Sequence, residues 1–332
     1  MKIAIVILNW NGVALLKKYL PAVIKNSSKA KIYVVDNAST DDSIDYIKRN
    51  FPDIYLIRLK DNYGYAEGYN KAVAQIDEPI QILMNNDVAP ADNWLTPIQD
   101  SFKNNISLAA LQPKILADKD RTKFEYAGAC GGYIDQLGYP FCRGRLFDHL
   151  ENDQQQYDNV VDIFWASGAC LAVRKKVFQE VGGFDELYFA HQEEIDLCWR
   201  IKNAGYNIIV NPQSVVYHLG GGTLNTLDPK KTFYNFRNSL FNLFKNAPDN
   251  KYKKLIFIRM ILDGVAFFFF ISQFKLKHAV MILKAHKDFY KLKSKIKRDS
   301  SFKITQYYYK KNILVDFFIM GKKRFIDLKK LT

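Results

Sequence analysis

The chain has 332 residues, 48 Lys and Arg against 34 Asp and Glu, and a formal net charge of +14. Residues 1–230 carry 24 basic and 28 acidic side chains, a net of −4, whereas residues 231–332 carry 24 and 6, a net of +18. That division argues against a uniformly basic nucleic-acid binder, and a hydrophobic content of 48% argues against a disordered body.

In chain order, residues 3–8 form a continuous apolar run, as in a strand buried on both faces. No small-residue cleavage pattern follows it, so the run reads as a first strand rather than a signal peptide, and the protein is expected to stay in the cytoplasm. Residues 15–25 have helical apolar spacing, and 31–35 read as a second strand ending at Asp36. Ser39 or Thr40 is expected to cap a helix through Ile44 and Ile47, with Asp41 and Asp42 in its first turn. A third strand is expected over 54–59, a helix over 68–76, and a fourth strand over 80–84 ending at Asn85-Asn86-Asp87. This alternation predicts a doubly wound parallel sheet, whose ligands bind beyond the carboxyl ends of the strands. The polar clusters fall at those ends: 9–11, 36–37, 62–64 and 85–87.

Beyond residue 105 the predicted elements shorten. A strand is expected over 167–173, a helix over 177–182, a helix over 193–203 with Gly205 at its C-terminal cap, and two short strands at 208–210 and 215–217. The glycines 220–222 read as a mobile loop. Cys130, Cys142, Cys170 and Cys198 form no Cys-x-x-Cys pair and read as buried free thiols.

Four clusters carry chemistry. In V-V-D-N-A-S-T-D, Asp36 is placed to accept hydrogen bonds from a base or ribose, or else marks a capped turn. In N-Y-G-Y-A-E-G-Y-N, Gly64 and Gly68 allow a backbone to approach a pyrophosphate, or make a plain turn. Asn85-Asn86-Asp87 offers a hard-metal carboxylate. The segment 184–200 opens a helix with Glu193, Glu194 and Asp196, where the helix dipole stabilises negative charge, and Asp196 and Arg200 fall i,i+4 apart.

In this order and spacing the clusters resemble the family-2 inverting glycosyltransferases of GT-A fold, and their rhamnosyltransferase-like branch in particular. The resemblance runs from Ile3 to about Thr223. Its residues are I-x-I-V-I-L-N-W-N-G, V-V-D-N-A-S-T-D, N-x-G-Y-A-E-G-Y-N, L-M-N-N-D-V, S-G-A-C-L-A-V-R, G-G-F-D-E, E-E-I-D-L-C-W-R and Y-H-L-G-G-G-T. It implies a GT-A (Rossmann-like) mixed sheet flanked by helices over 1–230. It implies that Asn9 and Asp36 hold the nucleoside, and that Asn62, Gly64, Asn70 and Asn86 lie along the nucleotide-sugar. The family's D-x-D metal signature falls on Asn85 and Asp87, so one carboxylate remains for Mg²⁺ or Mn²⁺, and His218 is implicated as a further ligand. The general base falls on Glu194, with Glu193 next in line. Asp185 is a candidate for sugar or acceptor hydroxyls. Trp165 offers a stacking face for a sugar ring or, equally, a core aromatic. The donor implied is a nucleoside-diphosphate sugar, dTDP-rhamnose first, and the acceptor a glycolipid or polysaccharide hydroxyl.

Residues 231–332 form a basic, aromatic-rich helical region. The apolar run 255–274 is interrupted by Arg259 and Asp263, which favours a helix lying on the membrane over one spanning it. Lysines crowd 275–297, and aromatic and basic residues interleave over 307–311 and 317–324, suiting an anionic membrane surface rather than nucleic acid. Two other readings are a nucleotidyltransferase, disfavoured because residues 9–12 contain no basic side chain for a triphosphate, and a membrane-tethered carbohydrate-binding protein without catalysis.

Overall fold

The computed structural model describes residues 1–220, 228–298 and 304–328. Chain order opens with β1 (Ile3–Asn9), α1 (Val13–Asn26), β2 (Lys31–Asp36), α2 (Ser43–Asn50), β3 (Tyr55–Arg58), α3 (Gly64–Gln75) and β4 (Ile80–Asn85). These strands lie parallel in the order β4-β1-β2-β3. Alternation along β1 sends Ala4 and Val6 to one face of the sheet and Ile3, Ile5 and Ile7 to the other. Both faces are covered, so Ile3 to Ile7 are buried and Leu8 partly so, the larger side chains contributing about 1.5–3 kcal/mol each.

The sheet continues through β5 (Val88–Pro90), α4 (Leu95–Asn104), β6 (Leu108–Ala117) and β7 (Asp120–Phe124). A small antiparallel sheet follows, made of β8 (Gly132–Ile134), β9 (Pro140–Cys142), β10 (Arg145–Leu146) and β11 (His149–Leu150). The chain returns through β12 (Val161–Asp162), β13 (Cys170–Arg174), α5 (Lys175–Glu180), α6 (Glu193–Asn203) and β14 (Asn207–His218). β13 inserts antiparallel between β4 and β6, so the sheet is mixed rather than wholly parallel. The two short strands expected at 208–217 are one strand, whose pairing with β6 slips between Asn211 and Val215. That bulge breaks the apolar alternation and disguises the continuity.

Two further differences arise at loop ends. α3 begins four residues before the expected start, at Gly64, whose φ of +69° suits glycine. Asp41 does not sit in the first turn of α2. Its carboxylate accepts from the Val13 amide at 2.9 Å and so closes the start of α1. Within the glycine loop, residues 221–222, and Thr223 beyond it, lie outside the described residues. All four cysteines are buried and free.

The C-terminal helices are α7 (Pro229–Asn246), α8 (Tyr252–Ser272) and α9 (Leu276–Leu292). Leu240, Phe241 and Leu243 of α7 join the same core as Leu197 and Trp199 of α6. Residues 304–328 dock on the small sheet: the Tyr309 amide donates to the Ile134 carbonyl, and Tyr309 and Phe325 pack against Tyr133 and Phe141. Tyr307, Phe317 and Phe325 are buried there. Part of the aromatic–basic interleaving expected to meet a membrane is therefore buried, with Lys310 and Lys322 paired to Asp316, while Phe318, Ile319 and Met320 stay exposed.

Candidate active site

The polar strand ends converge along the carboxyl edge of β2, β1 and β4. Asn9 accepts from Asn86 Nδ2 at 2.9 Å and donates to Ser39 Oγ at 3.3 Å. Asp36 is buried. One of its oxygens accepts from the Ser39 amide, and the other, Oδ1, has no partner. A buried carboxylate oxygen without a donor is costly, and a base N–H or ribose hydroxyl would supply one. Gly12 lies against this network: a Cβ there would overlap both Asn86 Nδ2 and Asn9 Oδ1. Gly12→Ala is therefore expected to part Asn9 from Asn86 and weaken nucleotide-sugar binding about tenfold, measured as donor KM, with the fold retained.

Asn62 and Gly64 border the same edge, but Asn62 Oδ1 is used inside the loop, accepting from Asn37 Nδ2 and the Gly64 amide. Asn37, which the sequence did not single out, ties this loop down through Gly64 O and the Tyr63 amide. Asn70 departs from expectation. Its side chain is spent on both backbone groups of Phe184, donating to the carbonyl and accepting from the amide at 2.9 Å each, so it clamps the 182–184 turn instead of facing the donor.

Strand pairing assembles the proposed metal ligands. Antiparallel β5 and β14 set Val88 opposite His218, which brings Asp87 to the imidazole. His218 Nε2 lies 3.1 Å from Asp87 Oδ1, and Nδ1 lies 3.3 Å from Glu125 Oε2. All three side chains are buried, and neither Asp87 Oδ1 nor His218 Nδ1 has a hydrogen bond of good geometry. Burial alone lowers the imidazole pKa, but the two flanking carboxylates outweigh it and push His218 up to about 10. No group of three His, Cys, Asp or Glu side chains among the described residues forms a ready metal cage. Asp87 and, once it gives up its proton, His218 offer one oxygen and one nitrogen donor, which fit Mg²⁺ or Mn²⁺ if a diphosphate completes the shell. Asn85, at the end of β4, donates its backbone N–H to the Ala169 carbonyl. Glu125 was missed by the sequence reading. It follows β7, which joins β6, which pairs with β14, and no local motif records that adjacency.

The acidic helix α6 starts from a left-handed run: Phe189, His191 and Gln192 have φ of +62°, +66° and +67°. Such conformations are costly for non-glycine residues and persist only when held. The holding comes from α7. The Asn238 amide donates to the carbonyls of Tyr188, Ala190 and His191, and Arg237 donates to Leu187 and Tyr188. Asn242 bonds both the Tyr188 hydroxyl and the Gln192 amide, and Asn246 donates to Asp196. Glu193 is buried with Oε2 unpartnered, and Glu194 is half-buried beside it. Burial raises both carboxyls, and the Glu194 charge raises Glu193 further. Glu194 is pushed up to about 7, the range a general base needs at neutral pH.

Two other candidates lie elsewhere. Asp185 accepts from the Leu187 amide and pairs with Lys245 at 2.6 Å, so its carboxylate is engaged inside the loop. Trp165 is only 3% exposed, packs over Gly132 and donates its indole N–H to the Tyr133 carbonyl. It is a core aromatic with no free face for a sugar.

A mixed sheet with helices on both faces and polar strand ends gathered along one edge is a GT-A fold. The model for glycosyl transferase family 2 matches residues 4–182, and the chain belongs to that family. It is 26% identical over 220 residues to the N-acetylglucosaminyl-diphospho-decaprenol L-rhamnosyltransferase of Mycobacterium tuberculosis (strain ATCC 25618 / H37Rv), covering 61% of this chain and 71% of that one. Among solved structures, Staphylococcus aureus TarS 1-349 in complex with UDP-GlcNAc superposes with a TM-score of 0.55 at 14% identity, covering 87% of this chain and 80% of TarS. The mannosyltransferase PcManGT from Pyrobaculum calidifontis, in complex with GDP-Man and Mn²⁺, gives 0.53 at 14% identity, covering 86% and 75%.

Proposed function

We propose that this glycosyltransferase moves a sugar from a nucleoside-diphosphate donor, dTDP-rhamnose first, to a hydroxyl of a lipid-linked or polysaccharide acceptor, with inversion at the anomeric carbon. The observation that carries the reading is the pairing of an unpartnered Asp36 oxygen at the strand-end edge with a carboxyl, Glu194, tuned to about 7 at the start of α6. The M. tuberculosis relative's rhamnosyl specificity favours the donor sugar.

Asp36 would accept from the nucleoside, with Asn9 and Asn86 fixing the loop around it. Asp87 and His218 would hold Mg²⁺ or Mn²⁺, which supplies positive charge to the leaving diphosphate when bound. Glu194 takes the proton of the acceptor hydroxyl as its oxygen attacks the anomeric carbon. The bond from that carbon to the diphosphate oxygen breaks, and the nucleoside diphosphate leaves with the electron pair. Burial and the Glu194 charge both favour the neutral form of Glu193, which points to Glu194 as the base of the pair. A thermal-shift panel of nucleoside-diphosphate sugars with Mn²⁺ tests the reading. One donor should raise the melting temperature in a metal-dependent manner, and no response to any of them would sink it.

The same reading sets the protein on the inner face of the cell membrane. α8 is the one helix among the described residues long and apolar enough to cross a membrane. Its charged residues are used against the protein instead. Arg259 and Asp263 are buried as a pair, Arg259 donates to Leu137 O and stacks on Tyr139, and His286 of α9 bonds Asp263. The far end of the hairpin exposes Phe268, Phe269, Phe274 and Leu276 beside Lys275 and Lys277. This pattern suits a tip embedded among anionic headgroups. Phe268→Ser with Phe269→Ser and Phe274→Ser is expected to lower binding to anionic vesicles at least about tenfold in a flotation assay, with turnover on a soluble acceptor unchanged.

A further inference from the structure

Arg145, on β10, is 6% exposed, yet no carboxylate among the described residues lies within ion-pair distance of it. Its Nη1 donates to Phe147 O at 2.8 Å, its Nη2 to Cys142 Sγ at 3.4 Å, and its Nε has no partner. The guanidinium sits 4.5 Å from the centre of the Tyr126 ring, and the Lys231 ammonium sits 5.1 Å from the same ring. Lys231, in the first turn of α7, has no ion pair either among the described residues. Two cations thus share one aromatic ring without an ion pair among the described residues, Glu125 reaching both only at longer range. A ring is worth about 0.5–2 kcal/mol to a cation, whereas burying an ion costs several. The ring does not offset that cost, and the arrangement lacks an anion.

Its position says which kind. Tyr126 is 43% exposed and follows Glu125, whose carboxylate touches His218, the neighbour of Asp87. On the other side, Cys142, which Arg145 contacts, lies in reach of the charges of both Glu125 and Glu194. Lys231 lies in reach of the Glu125 charge. The cations therefore lie beside the chain of Glu125, His218 and Asp87. Glu125 itself is taken up by His218 and by the Ala127 amide.

We propose that Arg145, Tyr126 and Lys231 form an oxyanion cradle that binds a diphosphate group in the cleft. The assignment rests on the transferase reading, in which two diphosphates meet there: that of the donor and that of a lipid-linked acceptor. Two cations around one ring suit an anion with several oxygens rather than a neutral sugar, with Tyr126 and Lys231 as the accessible parts and the buried Arg145 supplying charge behind them.

Lys231→Met and Arg145→Gln test the cradle, with circular dichroism to confirm that each variant folds. Affinity is measured by calorimetry for inorganic diphosphate, for the nucleoside diphosphate that the wild type binds most tightly, and for farnesyl diphosphate as a short lipid diphosphate. Lys231→Met is expected to weaken inorganic diphosphate about tenfold, the loss of one charge-assisted contact. A matching loss for the nucleoside diphosphate alone assigns the cradle to the donor, for farnesyl diphosphate alone to the acceptor, and for both to the diphosphate as such. Wild-type affinity of the folded Lys231→Met variant for all three probes overturns the proposal, as does a wild type that binds none of them. A wild type that binds inorganic diphosphate but no nucleoside-diphosphate sugar would sink the transferase reading and leave the cradle standing.

Discussion

Glu194→Gln is expected to cut turnover about 10²–10⁴-fold while leaving donor affinity unchanged. The amide keeps the size and burial of the carboxyl but cannot take a proton from the acceptor hydroxyl. The wild-type profile should carry the same signature. Activity should fall about tenfold per unit as pH drops below about 7, where burial holds the Glu194 proton. The same shift acts on stability. Between its ordinary value and about 7, the folded carboxyl keeps a proton that the unfolded chain has lost, so stability falls as pH rises through that window. The Gln variant escapes that loss and should melt higher than wild type at pH 8, by on the order of 2 kcal/mol. A variant that is more stable and catalytically dead marks a functional carboxylate, whereas near-normal turnover would move the base to Glu193.

Asn238→Leu is expected to lower turnover as well, although its side chain bonds backbone carbonyls and neither Glu193 nor Glu194. Its amide holds the carbonyls of Tyr188, Ala190 and His191, the segment that turns left-handed before α6. Leucine fills the space and leaves those acceptors without their donor, destabilising the protein by on the order of 2–4 kcal/mol. The strained entry to α6 should relax and misplace Glu194. Steady-state kinetics should then show kcat falling at least about tenfold with little change in donor KM, because the Asn9–Asp36 side is untouched. An equal loss in donor affinity would place the disturbance at the nucleotide end instead.

The parallel half of the sheet was legible because its strands are buried on both faces and write themselves as near-continuous apolar runs such as 3–8 and 80–84, the second interrupted only by the buried Gln81. The gathering of Asn9, Asp36 and Asp87 along one edge followed from strand direction alone. The acidic helix and its glycine cap were equally plain, since both signals are local. What escaped is non-local. Glu125 reaches His218 only through the pairing of β7, β6 and β14, and nothing near residue 125 announces it. Trp165 and Asp185 had the right chemistry for a sugar, but burial and Lys245 claim them. The clamp on α6 did leave a trace. Asn238, Asn242 and Asn246 recur every fourth residue, one buried polar stripe on a helix otherwise rich in aromatics. Charge divides the sequence into a near-neutral front and a basic rear, yet α7 of that rear joins the core of the front and holds its acidic helix in place.

The most direct measurement follows transfer itself. The protein is incubated with Mn²⁺, the donor selected by thermal shift and a glycolipid acceptor, and the product linkage is read by NMR. The account predicts one nucleoside diphosphate released per sugar transferred, an anomeric configuration opposite to that of the donor, and loss of both in Glu194→Gln. Retention of the donor configuration, or transfer undiminished in Glu194→Gln, would contradict it.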